Sequence, residues 1–227
     1  MSIRQLNLED GYGILVKSNY QTKSHRHYVI EAVYCRDGFF DIETKETKYT
    51  GIKSVLIPSW LPHSFRCYEA ACELLFVDPL SRVGKIITEI YAPEEKQDVI
   101  VHPRQIELFF DGRYLRESIN AKTNGVDARI HECIEAIESN TEALTVKQLS
   151  KIACLSESRL AHLFKEEAGI SVHQYILWKK MCLAVSQVSV GESLTSSAHF
   201  AGFADSAHFH KVFSNMFGVN PFLGLKV

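Results

Sequence analysis

The sequence predicts an α+β protein: a strand-built first half that closes as a barrel or sandwich, then an all-α second half with two helix-turn-helix units. Three observations predict it. Short β-branched and aromatic runs punctuated by turn residues fill 12–78. From about residue 84 the apolar spacing shifts toward the helical period. Near the C-terminus, "LAHLFKEEAG" is overlaid by "FHKVFSNMFG" when the chain is shifted by 49 residues.

The strand runs are "GILVKSNY", "YVIEAVYC", "GFFDIET", "KSVLIP" and "CELLFVD", with turns expected at Arg36-Asp37-Gly38 and Pro58-Ser59. One run begins "HRHYVIE". In a strand, residues of equal parity share a face, so His25, His27, Val29 and Glu31 project to one side. A strand opening after Pro62 puts His63, Phe65 and Cys67 on one face. Three imidazoles and a carboxylate converging in a small barrel suit a borderline divalent ion: zinc, nickel, iron or manganese. The bland alternative is a set of polar side chains alternating along strands. Cys67 is either a further donor, a redox reporter or a small buried hydrophobe. Trp60 is either the lid of a ligand pocket or a core or rim aromatic.

Helices are expected over "GKIITEIY" and, with Pro103 as first helical residue, "PRQIELFFDGRYLRESINAK". Ile106, Phe109, Phe110 and Leu115 form a partial apolar stripe there, a candidate homodimer contact. The polar stretch 120–125 reads as a linker, giving a sensor domain 1–83, a helical connector 84–125 and a helical domain 126–227. Within the last, Ile130, Cys133, Ile134 and Ile137 mark one amphipathic helix. A second starts at or just before Thr145. A third is capped by Ser156 and stops at Gly169.

The shift of 49 sets Ala153 on Gly202, Leu160 on Phe209, Leu163 on Val212, Phe164 on Phe213 and Gly169 on Gly218. Each member of the repeat is a short helix, a tight turn and a longer helix. With the apolar residues buried, the far face of the longer helix carries Ser158, Ala161, His162 and Lys165 in the first unit. In the second it carries Ala207, His210, Lys211 and Ser214. Small and hydrogen-bonding residues on such a face can reach base edges in a major groove. His208 and His210 point about 200° apart in a helix and cannot chelate together.

At these residues a family resemblance becomes specific. "LTVKQLSKIACLSESRLAHLFKEEAGISVHQYI" and "FAGFADSAHFHKVFSNMFGVNP" resemble the DNA-binding domain of the AraC/XylS family of bacterial transcription regulators. The most telling positions are Ala201-Gly202-Phe203, Ser206, Phe209, Phe213, Phe217-Gly218 and Pro221. The resemblance covers about the last hundred residues. It implies two helix-turn-helix units joined by a long helix, Val172 to Val188, reading double-stranded promoter DNA. It also implies Ser158, Ala161, His162, Ala207, His210 and Lys211 as base-facing residues. Lys211 stands where the family often has arginine, and the usual Tyr-Arg does not follow Pro221.

The first half resembles the cupin superfamily, covering roughly residues 10–80. His25, His27, Glu31 and Gly38 fit the spacing of its first motif, and Pro58 and His63 fit the second. Asn19 and Trp60 replace motif glycines, and Cys67 replaces an asparagine. All four ligand positions are kept, so the resemblance implies a metal site at His25, His27, Glu31 and His63. Together the two resemblances imply a transcription regulator controlled by a metal ion or small molecule bound in a cupin-like jelly roll. The alternative is a cupin metalloenzyme, a dioxygenase or isomerase, with an appended DNA-binding domain; no separate acid–base pair is assignable for it.

Composition agrees with this reading. The formal charge is −2, which disfavours a loose polyanion binder. Residues 125–227 hold nine Lys/Arg and ten Asp/Glu, so specific contacts or dimerisation must supply much of any DNA affinity. The six cysteines form no C-x-x-C pair, as expected of reduced thiols in the cytoplasm. No apolar run is long enough to span a membrane, and "MSIRQLNLED" lacks the apolar segment of a secretory signal.

Overall fold

The computed structural model describes residues 2–7, 11–92, 98–111, 126–139 and 144–225. It has the expected fold class, an antiparallel barrel followed by helices. The strands are β1 (Ser2–Asn7), β2 (Tyr12–Gln21), β3 (Ile30–Cys35), β4 (Phe40–Thr44), β5 (Lys48–Ile52), β6 (Ser54–Ile57), β7 (His63–Val77) and β8 (Ile100–Val101). The barrel helices are α1 (Arg82–Tyr91) and the short α2 (Glu107–Phe110). Then follow α3 (Ala128–Ser139), α4 (Val146–Ile152), α5 (Glu157–Ala168), α6 (Val172–Ser189), α7 (Leu194–Phe200), α8 (Ser206–Phe217) and α9 (Pro221–Gly224).

The long strand β7 organises the barrel. On one side it pairs with β2 from Val77↔Tyr12 to Arg66↔Gln21. On the other it pairs first with β4, through Cys67↔Phe40, and then with β3, through Cys72↔Cys35. Expected strands at 63–67 and 72–78 are therefore one strand. Glu69, at φ 44°, kinks it without breaking it. A single strand that changes partners halfway lets the sheet curl nearly closed. The strands β1, β5 and β8 carry too little apolar alternation to be read beforehand.

The expected connector does not stand apart. Val83 and Ile87 of α1, with Ile106, Phe109 and Phe110, are buried with Tyr12, Ile14, Ile30, Leu56 and Leu75. The described part of the stripe offered as a dimer contact is thus spent within the barrel core; Leu115 and the linker lie outside the described residues. Pro103 is not the first helical residue either. It opens a turn in which Ile106 N bonds to Pro103 O at 3.4 Å, and the helix begins only at Glu107. His102 at φ 50° and Gln105 at φ 59° interrupt any helical path there.

Residues 1–122 and 210–227 form one compact unit, and 123–209 the other. In the second, Ile130, Cys133, Ile134 and Ile137 are buried as expected. Thr145 and Gln148 make a reciprocal capping box for α4, and Ser156 caps α5. Ser171 and Gln174 repeat the box at the start of the 18-residue α6.

The repeat is real, with one change of register. Ala153 N bonds to Leu149 O as Ala201 N bonds to Ser197 O, an offset of 48. Leu155 N bonds to Ser150 O as Phe203 N bonds to Ala198 O, again 48. From α5 onward the offset is 49: Gly169 N bonds to Lys165 O as Gly218 N bonds to Ser214 O. Ala153 therefore corresponds to Ala201, not Gly202. Cys154, at φ 52°, is the partner of Gly202, at φ 73°. The extra residue lies in the loop between Phe203 and Asp205.

Candidate metal centre and DNA-reading faces

After β2 ends, the chain keeps running beside β7. Thr22 N bonds to Phe65 O, and Phe65 N to Thr22 Oγ1, both at 2.9 Å. His25 and His63 then exchange two backbone hydrogen bonds of 2.9 Å as an isolated bridge. Contrary to expectation, neither His25 nor His27 lies in a regular strand. The backbone of His27 is held instead by Trp60 N, which bonds to His27 O at 2.8 Å. Glu31 sits in β3 between Phe76 of β7 and Ile57 of β6. His63 opens β7, with Phe65 and Cys67 buried on the same face as expected.

These paths bring the four residues together. One donor atom from each of His25, His27, Glu31 and His63 lies within 4.8 Å of the other three. His27, Glu31 and His63 are buried and His25 is half-buried. The imidazole centroids are 4.4 Å apart for His25 and His63, and 5.1 Å for His27 and His63.

The three rings share one anchoring scheme. His25 Nδ1 is 2.9 Å from Lys23 O, His27 Nδ1 is 2.9 Å from Val29 O, and His63 Nδ1 is 2.8 Å from Leu61 O. A carbonyl only accepts, so each Nδ1 carries a proton, and a ring with that single proton directs the lone pair of Nε2 elsewhere. Here that lone pair faces the carboxylate. His27 Nε2 is 3.0 Å from Glu31 Oε2, and His63 Nε2 is 3.2 Å from the same oxygen. His63 Nε2 is buried and makes no aligned hydrogen bond. Lone pairs and an anionic oxygen this close repel unless positive charge sits among them. A divalent cation meets that need, and backbone-anchored histidines are the arrangement metal sites use. The residues therefore fit a metal ion.

The electrostatics point the same way. Burial, followed by the nearby His63 and His27, pushes His25 down to about 3, so at neutral pH it is an uncharged donor. Burial alone would raise Glu31. Positive charge on the facing His27 and His63 outweighs burial and holds the carboxyl well below its ordinary range.

The departures from the cupin-like motifs are informative. Asn19 and Trp60 stand where glycines would, and both have left-handed backbone, φ 48° and φ 63°. Both positions take the backbone conformation that glycine adopts most readily. Trp60 is half-buried with its ring 6.3 Å from that of Tyr28. Cys67 is buried, 3.8 Å from Lys17 O, and is not among the clustered donors.

The DNA-reading candidates fall as the helical period places them. Ser158, Ala161, His162 and Lys165 of α5 are exposed, opposite buried Leu160, Leu163 and Phe164. On α8, Ala207 and Lys211 are exposed, while His210 and Ser214 are half-buried. The reason at His210 is Phe222 of α9, whose ring stands edge-on at 4.9 Å. His162 has Glu166 at 3.6 Å as an ion-pair neighbour. What sequence reasoning did not supply is the ring anchoring, because the acceptors are backbone carbonyls of Lys23, Val29 and Leu61, which no side-chain pattern encodes.

Comparison with known proteins adds the family. A helix-turn-helix domain model matches residues 149–222. The multiple antibiotic resistance protein MarA of Escherichia coli is 32% identical over 94 residues, which cover 40% of this chain and 74% of that protein. The probable transcriptional regulator LumQ of Photobacterium leiognathi is 33% identical over 79 residues, 34% of this chain and 32% of that protein. The chain thus matches only about a third of LumQ's length. The structure of ToxT from Vibrio cholerae superposes with a TM-score of 0.59 at 14% identity, covering 95% of this chain and 98% of that one. Another ToxT structure, with unsaturated fatty acid bound, gives 0.58. These two establish likeness of fold. The MarA match, together with two helix-turn-helix repeats, means that this chain belongs to the AraC/XylS family of transcription regulators.

Proposed function

We propose that this chain is a sequence-specific DNA-binding transcription regulator whose barrel holds a divalent cation on His25, His27, Glu31 and His63, and that the cation controls DNA binding. The observation that supports the cation is the convergence of the three imidazoles, each with Nδ1 committed to a backbone carbonyl, on one buried carboxylate. Three nitrogens and one oxygen suit zinc, nickel, iron or manganese. When bound, the ion supplies the positive charge that the cluster lacks. The chain's own residues orient the donors and exclude water. The exposed faces of α5 and α8 supply the base and phosphate contacts.

Membership of a family of transcription regulators, with LumQ a probable transcriptional regulator, speaks against the metalloenzyme alternative. A small organic effector is the second reading, supported by the likeness of fold to ToxT, which has been solved with unsaturated fatty acid bound.

One experiment tests the function. The purified full chain, with and without added zinc, nickel, iron(II) or manganese salts, is used to select duplexes from a randomised DNA pool. The expected result is enrichment of a sequence and a change in its affinity with at least one ion. The His27→Ala, His63→Ala double variant should lose both the bound metal, by elemental analysis, and the ion response. Equal metal content in the double variant and the parent rejects the site; no enrichment under any condition rejects DNA reading.

A further inference from the structure

The end of α8 is docked on the loop that carries the first histidine, and both belong to the same compact unit. Lys23 N bonds to Gly218 O at 3.0 Å. The carbonyl of that same Lys23 receives the Nδ1 proton of His25, at 2.9 Å. Gly218 is left-handed at φ 66°, and a Cβ placed on it would lie 2.6 Å from both His25 Nδ1 and Lys23 O. The helix end thus lies flush against the His25 imidazole, with no room for a side chain. Next to it, the Phe217 ring stands edge-on to Phe76 at 5.5 Å. Phe76 in turn stands edge-on to His27 at 5.7 Å. Two of the three histidines are therefore backed, directly or through one ring, by residues 217 and 218.

We propose that the loop from Lys23 to His25 is a shared element, supplying one ligand of the cation site and the dock for Phe217 and Gly218, so that cation binding and docking of the end of α8 favour each other. The inference rests on the cation reading above. The docked arrangement is the one in which the four donors converge. Undocking removes the packing that limits the His25 ring and the bond that helps orient the Lys23 peptide, so the undocked chain holds a looser ligand set. Coupling between two sites is reciprocal, so a cation that prefers the converged set stabilises the dock by the same factor. His210, Lys211 and Ser214 lie on the docked helix, one to two turns before its end. A cation in the barrel thereby restrains a helix that carries candidate reading residues.

The test uses the full chain, zinc(II) as the probe and a chromophoric chelator as competitor. Phe217→Ala and Gly218→Ala are each expected to weaken zinc binding at least about five-fold, the low end of typical coupling between sites. In the parent, zinc should slow exchange of the Lys23 amide hydrogen, which is held by Gly218 O. In Phe217→Ala that protection should be lower and less responsive to zinc. The Phe217 variant leaves the left-handed backbone unchanged, so it answers the question if Gly218→Ala fails to fold. Parent-like zinc affinity in the variants, together with Lys23 exchange indifferent to zinc, overturns the coupling while leaving the cation site standing. A parent that binds no zinc, where His25→Ala makes no difference, overturns both.

Discussion

The two helix-turn-helix repeats have the same hydrogen-bond skeleton and differ at three places. The left-handed residue of the turn is Cys154 in the first and Gly202 in the second. The loop that follows is one residue longer in the second. After the long helix, the first repeat passes through the Ser171 capping box into α6, whereas the second reaches the short α9 and rests on the barrel loop. The skeleton depends on buried residues and caps, so it survives substitution everywhere else. The differences lie at the exits and turns, where each copy is adapted to what comes next.

Three sets of substitutions would break or sharpen that comparison. The largest effect is expected in the core. Leu160 and Phe209 are corresponding residues and both are fully buried. Leu160→Ala should cost about 2–5 kcal/mol and Phe209→Ala about 3–5 kcal/mol, read by denaturant unfolding of the full chain. A large loss in one copy and none in the other would mean that the repeats are not equivalent structural units.

A smaller effect is expected on the reading faces. Lys211→Ala should weaken binding to the selected duplex by about 1–3 kcal/mol if the side chain reads a base. Lys165→Ala should reduce the salt slope of binding by about 1 if it neutralises one phosphate. Titrations at several salt concentrations separate the two. Unchanged binding in both variants would remove these faces from the DNA interface.

The smallest effect is at the turn. Gly202→Ala adds a Cβ that meets only the end of the Lys180 side chain, at 3.5 Å, so its cost of about 1 kcal/mol comes from left-handed backbone. Cys154→Gly should do the reverse and stabilise by up to about 1 kcal/mol, offset in part by the added freedom of the unfolded chain. Thermal unfolding of the pair checks the sign. A stabilising Gly202→Ala would show that the two turns are not conformational equivalents.

Much of the helical half was legible because helical signals are local. Ile130, Cys133, Ile134 and Ile137 repeat at the helical period and are buried together. Thr145, Ser156 and Gly169 act as the caps their chemistry suggests. The register of the turn was misread because Ala153 and Gly202 are both small, and only hydrogen bonding distinguishes Gly202 from Ala201 as the true counterpart of Cys154. In the barrel the spacing that brings His25, His27 and Glu31 together was legible, but the reason given for it was not the operative one. His25 and His27 share a site through an isolated bridge and a turn, rather than through strand parity. The apolar stripe at Ile106, Phe109 and Phe110 marked a buried surface correctly, and its partner was the chain's own sheet.

By itself, then, the amino-acid order determined which residues carry candidate donor groups, which faces are apolar, where helices start and stop, and that the helical half is a repeat. These are properties of side chains and of neighbours within a few residues. Tertiary structure alone decided that Lys23, Val29 and Leu61 direct the three imidazoles, that β7 serves two sheet partners, and that Gly218 lies against His25. Each of those depends on backbone groups brought together from distant parts of the chain, and every residue's backbone offers the same donor and acceptor, so the sequence carries no mark of which pairs will meet.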